Sequence, residues 1–232
     1  MDRRHFTLFA FSVGIALMSA CSPSIHQQRL AQVRNAAIVG FAAELPANPS
    51  YDGSAQGAVL AYDQLVMSLH EALGWDFTAR ATLAGHPFYA KSYEQHFRDS
   101  PLGPLKNTLA QFSADLYPAG IMWSDHVKSL TISERQELMR KLEIDAMAVA
   151  RIQVEPCSEY ETEFQSRSAY QAKLAFEVYD KTHPEPIWED RWVIGEPSLI
   201  ANHGDPEQLR SRYLEAIEHA YSNLIERYET QR

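Results

Sequence analysis

The chain has 232 residues, of which 45% are apolar, and a formal net charge of −9 at neutral pH. The apolar content is enough for the core of one domain, and the acidic balance excludes a general nucleic-acid binder, which needs a basic surface. Removal of residues 1–20 would take away two basic residues and one acidic residue and leave −10. A basic patch for anionic lipid is therefore not expected either.

The N-terminus carries the strongest signal in the sequence. Arg3 and Arg4 precede an apolar run over residues 6–18, which suits a secretory signal peptide and is too short to span a bilayer. The run ends in Ser19-Ala20-Cys21. This end resembles the lipobox of bacterial lipoproteins, in which the cysteine receives the lipid and becomes the first residue of the mature chain. The alternative is an ordinary signal peptide with a chance cysteine.

The lipobox resemblance implies a division of the chain. Residues 1–20 would be the signal peptide, residues 21–31 a tether lipidated at Cys21 with palmitate-type chains, and residues 32–232 a single periplasmic domain. Serine rather than aspartate follows the cysteine, which implies the outer membrane in a Gram-negative organism. Residues 3–8 also resemble a twin-arginine export motif, so the export route stays open.

The first half of the domain predicts strands that alternate with helices. Ala36–Phe41 is nearly all apolar, as expected of a strand buried on both faces. Residues 55–73 have apolar side chains at helical spacing, and Gly74 ends the pattern. A second, short strand is predicted over Thr78–Leu83, and a helix over residues 101–115.

The second half predicts two helices and three strands. A helix begins at Thr131 or Ser133, with Glu134 or Gln136 completing a capping box. Its predicted buried face is Leu138, Met139 and Leu142. Strands follow over 145–155, 170–179 and 187–194, and residues 156–168 are predicted to be a long loop between the first two. In the second of these strands, apolar side chains alternate from Tyr170 to Val178. The final helix is capped by Asp205 and runs to about Tyr228. Its predicted apolar stripe is Leu209, Tyr213, Ile217, Ala220, Leu224 and Tyr228. We therefore predict an α/β fold: a single mixed sheet of about five strands, covered by helices, with a long C-terminal helix.

Three segments of this half resemble a known fold family. They are Leu142-Glu143-Ile144-Asp145-Ala146, Val178-Tyr179-Asp180-Lys181 and Pro186-Ile187-Trp188. They are similar to periplasmic lipoproteins that share a fold with the N-terminal domain of TolB, such as the curli-secretion lipoprotein CsgG and the penicillin-binding-protein activator LpoB. The resemblance implies a protein-binding accessory or assembly factor for an envelope machine, in secretion, transport or wall synthesis. Because some relatives by fold form rings, a homo-oligomer stays open.

No motif in the sequence indicates catalysis, so we predict neither an enzyme nor a cofactor. The nine histidines include no His-x-x-x-His pair, and no metal site is predicted. The alternative is a periplasmic ligand-binding or hydrolytic domain with a pocket at the strand ends, which could use His203 and Asp125. With Cys21 lipidated, Cys157 has no disulfide partner and is expected to be a small buried or half-buried side chain; the alternative is a reactive thiol.

Two aromatic groups are candidates for protein binding. In the strand over residues 187–194, Trp188, Asp190 and Trp192 share a predicted face. They predict either a tryptophan pair in the core or an exposed aromatic platform. The stretches 85–100 and 117–126 mix aromatic with basic side chains, which is typical of interface anchors; the alternative is an extra layer of core. We predict that the following residues bind another envelope protein: Phe88, Tyr89, Tyr93, Phe97 and Trp123.

Overall fold

The computed structural model describes residues 23–45, 54–87, 114–116, 130–162, 165–199 and 206–232. Within these ranges, eight strands form one mixed sheet. The strands are β1 (Ser24–Ile25), β2 (Asn35–Leu45), β3 (Asp76–Phe77), β4 (Ala114–Leu116), β5 (Ala146–Thr162), β6 (Gln165–Asp180), β7 (Trp188–Ile194) and β8 (Ser198–Leu199). The helices are α1 (Gln27–Leu30), α2 (Ser54–Leu73), α3 (Arg80–Gly85), α4 (Ile132–Leu142) and α5 (Pro206–Gln231).

The sheet has the order β1-β7-β6-β5-β2-β3. β2 runs parallel to β3 and β5, whereas β6 runs antiparallel to both of its neighbours, β5 and β7. β4 pairs with the end of β2, and β8 pairs with β6. The α/β class, the mixed sheet and the C-terminal helix are confirmed, but the predicted number of about five strands is too low. The additional strands have two or three residues each, which is too short for an alternating pattern to be visible in the sequence.

Helices α2 and α5 cover one face of the sheet. The Tyr221 hydroxyl of α5 donates to the Ala61 carbonyl oxygen of α2 at 2.8 Å, so the two helices are also joined to each other. On β7, Trp188 is fully buried between Phe176 of β6 and Tyr228 of α5. The predicted apolar stripe of α5 is confirmed, because all its members are buried: Leu209, Tyr213, Ile217, Ala220, Leu224 and Tyr228.

Helix α4 begins with the capping box that the sequence predicts. Thr131 is the N-cap residue, and its side chain accepts a hydrogen bond from Glu134 N, while the Glu134 carboxylate accepts from Thr131 N at 2.8 Å. The predicted buried residues of this helix are buried: Leu138, Met139 and Leu142. Arg135 lies over the Tyr179 ring at 4.3 Å from its centroid. Because Tyr179 and Phe176 point to opposite faces of β6, α4 contacts the face that α2 and α5 leave open.

Two predictions about irregular segments are wrong. In place of the strand predicted over residues 78–83, the chain forms the short strand β3 and then helix α3. After β3, Thr78 N continues the pairing with β2 by donating to Ala36 O at 2.9 Å, and helix α3 begins at Arg80. The predicted loop over residues 156–168 is largely strand, since β5 continues to Thr162 and β6 begins at Gln165. β8 pairs with β6 only at Ala169 and Tyr170. In the described residues between there and the ends of the two strands at Thr162 and Gln165, β5 and β6 pair only with each other. Of the helix predicted over 101–115, residues 101–113 lie outside the described residues, and Ala114 and Asp115 belong to β4.

A bulge in β7 separates the two tryptophans that were predicted to share a face. Asp190 pairs with Phe176 and Val193 with Leu174, so two residues of β7 lie opposite a single residue of β6. The second of them, Trp192, has a φ of 60° and points outward. Trp188 is buried, whereas 59% of Trp192 is exposed. The prediction of one shared face is therefore wrong, because the extra residue reverses the alternation.

Candidate functional site

The N-terminal segment is fixed to the edge of the sheet from Pro23 onward. β1 pairs antiparallel with the start of β7, and His26 N donates to Ile187 O at 2.8 Å. Gln231, at the end of α5, donates from Nε2 to Pro23 O at 3.2 Å. These residues lie in the stretch predicted to be a tether, so the folded domain begins earlier than the predicted boundary at residue 32.

An ion pair between Arg29 and Asp180 reinforces this attachment. Arg29 Nε and Nη2 donate to the two carboxylate oxygens of Asp180 at 2.8 and 2.6 Å. Burial alone would raise the pKa of Asp180, but the hydrogen bonds from Arg29 and from Thr182 outweigh burial and lower it from 3.8 to about 2. A two-pronged guanidinium–carboxylate pair holds both partners in a defined geometry. The pair therefore joins α1 to the end of β6.

A groove of about 820 Å³ lies between this segment, β7 and the last turns of α5. We call it the N-terminal groove and define it by the lining residues Pro23, Trp192, Ile194, Asn223, Arg227 and Thr230. Its apolar part consists of Trp192, 59% exposed, and Ile194, 48% exposed. Asn223 Nδ2 donates to the Ile194 carbonyl oxygen at 2.8 Å, which ties α5 to the end of β7.

The close packing of α5 on β7 depends on a glycine directly after the strand. A Cβ atom on Gly195 would lie 2.6 Å from Ala220 N and 2.9 Å from Ala216 O. Gly195 N donates to Ala172 O at 3.0 Å, so the backbone at this point is held by the sheet as well. Any larger residue would push α5 away from the strand. The geometry of the groove thus depends on Gly195.

A buried ion pair lies next to the N-terminal groove. Asp190 of β7 is 1% exposed, and its Oδ1 lies 3.0 Å from Nη1 of Arg227, which lines the groove. Neither carboxylate oxygen of Asp190 accepts a hydrogen bond of good geometry within the described part of the chain. Burial raises the pKa of Asp190 from 3.8 to about 6, although the Arg227 guanidinium opposes the rise. A buried carboxylate with little compensation destabilises the fold when it is charged.

The predicted site residues lie almost entirely outside the described ranges. Cys157 is half-buried, as predicted, and forms no disulfide with a described residue. The following fall outside: Cys21, Phe88, Tyr89, Tyr93, Phe97, Asp125, Trp123, His203 and the helix cap Asp205. The predicted protein-binding residues and the lipidation site remain predictions.

The residues of the N-terminal groove were not predicted from the sequence. For Trp192 the sequence predicts either a core pair or an exposed platform, and it indicates no binding role for Pro23 or Arg227. One signal was present, because Asp190 is an acidic residue at a position predicted to face the core. A carboxylate predicted to face the core needs a partner for its charge, unless the strand departs from regular alternation. The structure shows both features, because Arg227 pairs with Asp190 and β7 contains a bulge.

The described ranges contain neither a cluster of metal ligands nor a helix that could span a membrane. Nowhere in the described ranges do three His, Cys, Asp or Glu side chains come together in a group that could hold a metal ion. Among the helices of the same ranges, none combines the length and apolar content that a membrane span requires.

Comparisons with known proteins identify no family. No protein-family model and no curated protein sequence matches this chain. Among solved structures, the hypothetical protein CT253 of Chlamydia trachomatis is similar with a TM-score of 0.43 at 11% identity, covering 83% of this chain and 95% of that one. The lipoprotein GNA1162 of Neisseria meningitidis has a TM-score of 0.34 at 17% identity, covering 79% of this chain and 97% of that one. With scores below 0.5, neither likeness supports a statement about function.

Proposed function

We propose that this protein is a lipid-anchored envelope protein that binds another envelope protein and serves as an accessory or assembly factor for a cell-envelope machine. The lipid is attached at Cys21, and the domain faces the periplasm from the outer membrane. The machine belongs to secretion, transport or wall synthesis, the classes that the TolB-like resemblance of residues 142–146, 178–181 and 186–188 implies.

The observation that supports this proposal is the fixed N-terminal segment. Because β1 begins at Ser24, only three residues, 21–23, separate the start of the sheet from the proposed lipid. Three extended residues span about 10 Å, so the anchor cannot act as a long stalk. Such a domain works at the membrane surface, where it meets the periplasmic parts of membrane-bound machines rather than distant soluble partners.

The partner surface that we propose is the aromatic set Phe88, Tyr89, Tyr93, Phe97 and Trp123. Aromatic side chains on connecting segments provide much contact area at low entropic cost and dominate many interfaces. The segments that carry them follow α3 and flank β4, which pairs with the end of β2.

Crosslinking in intact cells tests the proposal. The lipoprotein is crosslinked, extracted in detergent and captured, and the proteins that accompany it are identified by mass spectrometry. We expect a reproducible envelope partner that is lost in a variant with Phe88, Tyr89 and Tyr93 changed to alanine. A matched control is Met67→Ala on α2, because Met67 is 60% exposed and lies outside the proposed surface. A protein captured alone with a small molecule bound would contradict the proposal and favour the ligand-binding alternative.

A further inference from the structure

We propose that the N-terminal groove is a membrane-contact site in which Trp192 and Ile194 lie in the headgroup layer of the phospholipid bilayer. This inference rests on the proposed lipid at Cys21 and adds to it a defined orientation of the domain. The groove, rather than another part of the surface, faces the membrane.

The position of the anchor is the first argument. Pro23 lines the groove together with Trp192 and Ile194, and its carbonyl oxygen is held by Gln231 of α5. Residues 21 and 22 precede it, and two residues reach at most about 7 Å. A lipid attached at Cys21 therefore enters the bilayer within the reach of two residues, about 7 Å, from the edge of the groove. Whatever the tilt of the domain, the groove cannot be far from the membrane surface.

The chemistry of the exposed side chains is the second argument. Trp192 lies at a φ of 60°, a conformation that bulky residues avoid, and the strained backbone presents its ring to solvent. Tryptophan is enriched where bilayer meets water, because its ring is apolar and its N–H group is polar. Arg227 also lines the groove, and although its Nη1 faces Asp190, its guanidinium brings a positive charge to this surface. Glu196 and Glu226 also line the groove and remain hydrated there, so contact stays at headgroup depth.

The backbone of β7 disfavours a protein strand as the occupant of the groove. An added strand would need unpaired carbonyl and amide groups along the edge of β7. The start of this edge is already paired with β1, and the carbonyl oxygen of Ile194 already accepts from Asn223. An amphipathic surface whose strand edge is paired at its start and bonded at Ile194 suits a lipid layer better than an extended peptide.

The test uses the mature lipidated protein reconstituted into vesicles of phosphatidylethanolamine and phosphatidylcholine, whose acyl chains are brominated close to the headgroup and quench tryptophan that lies near the membrane surface. All variants carry Trp123→Phe. Three tryptophans then remain, of which Trp75 and Trp188 are buried. We expect brominated lipid to remove the share of emission that Trp192 contributes. The variant Trp192→Phe should show no such loss, and it should fold normally because the ring is largely exposed.

A matched control places a tryptophan elsewhere on the surface. Met67 on α2 is exposed to the same degree as Trp192, so Met67→Trp in the Trp192→Phe protein reports whether the domain contacts lipid indiscriminately. We expect this tryptophan to be quenched by acrylamide in solution and not by brominated lipid. Equal quenching of both positions by lipid would overturn the defined orientation.

Flotation of the vesicles distinguishes a failure of the lipid anchor from a failure of the membrane-contact site alone. If the protein floats with the vesicles but Trp192 is quenched only by acrylamide, the membrane-contact site is wrong and the anchor stands. If Trp192 is shielded from both quenchers, a protein surface or a second copy covers it, and the membrane-contact site is again wrong. If the protein fails to float, whereas a proven lipoprotein treated in parallel does, both the anchor and the contact site are wrong.

Discussion

Replacing Asp190 with asparagine should change how the stability of the domain depends on pH. Asp190 of β7 is buried beside Arg227 of α5, and its pKa is raised from 3.8 to about 6. The unfolded chain has the ordinary value. Between these two pH values the folded protein therefore binds more protons than the unfolded chain, and the free energy of unfolding falls as the pH rises. Above pH 6 the whole cost of burying the charge is present, and well below pH 4 it is absent.

The size of the effect follows from the two pKa values. A difference of one in pKa corresponds to about 1.4 kcal/mol, so the rise from 3.8 to about 6 corresponds to about 3 kcal/mol. Asparagine has nearly the shape of the protonated acid and carries no charge at any pH. Part of this cost is already present at pH 4, so relative to the wild type Asp190→Asn should gain between about 2 and 3 kcal/mol of stability as the pH is raised from 4 to 7.5. The absolute difference at pH 4 depends on how well the buried amide is accommodated.

Urea unfolding of both proteins at a series of pH values measures this difference, and unchanged m-values confirm that the same transition is compared. Asp180→Asn is a control of opposite sign. Because the pKa of Asp180 is lowered to about 2, its charged form stabilises the fold above pH 4, and this contribution is lost as the pH falls towards 2. A wild-type minus Asp190→Asn difference that is constant from pH 4 to 7.5 would refute the reasoning about Asp190.

Three further predictions concern the contacts that build the domain. Arg29→Ala should cost roughly 1–2 kcal/mol at neutral pH, because it removes both hydrogen bonds to Asp180; limited proteolysis should then cut the N-terminal segment faster, and an unchanged cleavage rate would show that β1 alone holds it. Gly195→Ala should cost more than about 2 kcal/mol in thermal unfolding because its Cβ would collide with the α5 backbone. Gly74→Ala, at a φ of +66° but with open space around it, should cost only about 1 kcal/mol; the reverse order would contradict the close approach at Gly195. Thr131→Ala should cost about 1 kcal/mol through loss of the capping box, measured by urea unfolding, whereas a neutral result would mean that tertiary contacts alone fix the start of α4.

The parts of the fold that could be predicted from the sequence are those with a regular pattern. The stripe on α5 and the alternation from Tyr170 to Val178 on β6 each repeat over several turns or residue pairs, and the residues of each apolar face are buried. The extension of β5 and β6 over residues 156–168 could not be predicted in this way. The two strands pair with each other there, but their residues are mostly polar and show no apolar alternation, so the sequence looks like a loop.

The candidate site could not be predicted from periodicity because it depends on an interruption of it. One extra residue in β7 turns Trp192 outward and keeps Val193 inward, and nothing in the local composition marks the insertion. The groove also brings together Pro23, Trp192 and Arg227, which are far apart in the chain. Their proximity depends on the pairing of the two-residue strand β1 with β7, which carries no sequence pattern of its own.

The mass of the mature chain extracted from membranes tests the proposed anchor most directly. Intact mass spectrometry, with fragmentation of the N-terminal peptide, should show a chain that begins at Cys21 and carries diacylglycerol on its sulfur. The variant Cys21→Ala should lack this mass and should leave the membrane fraction. A mature chain that begins at another residue, or one that has an unmodified thiol at Cys21, would contradict both the lipid anchor and the membrane-contact site beside it.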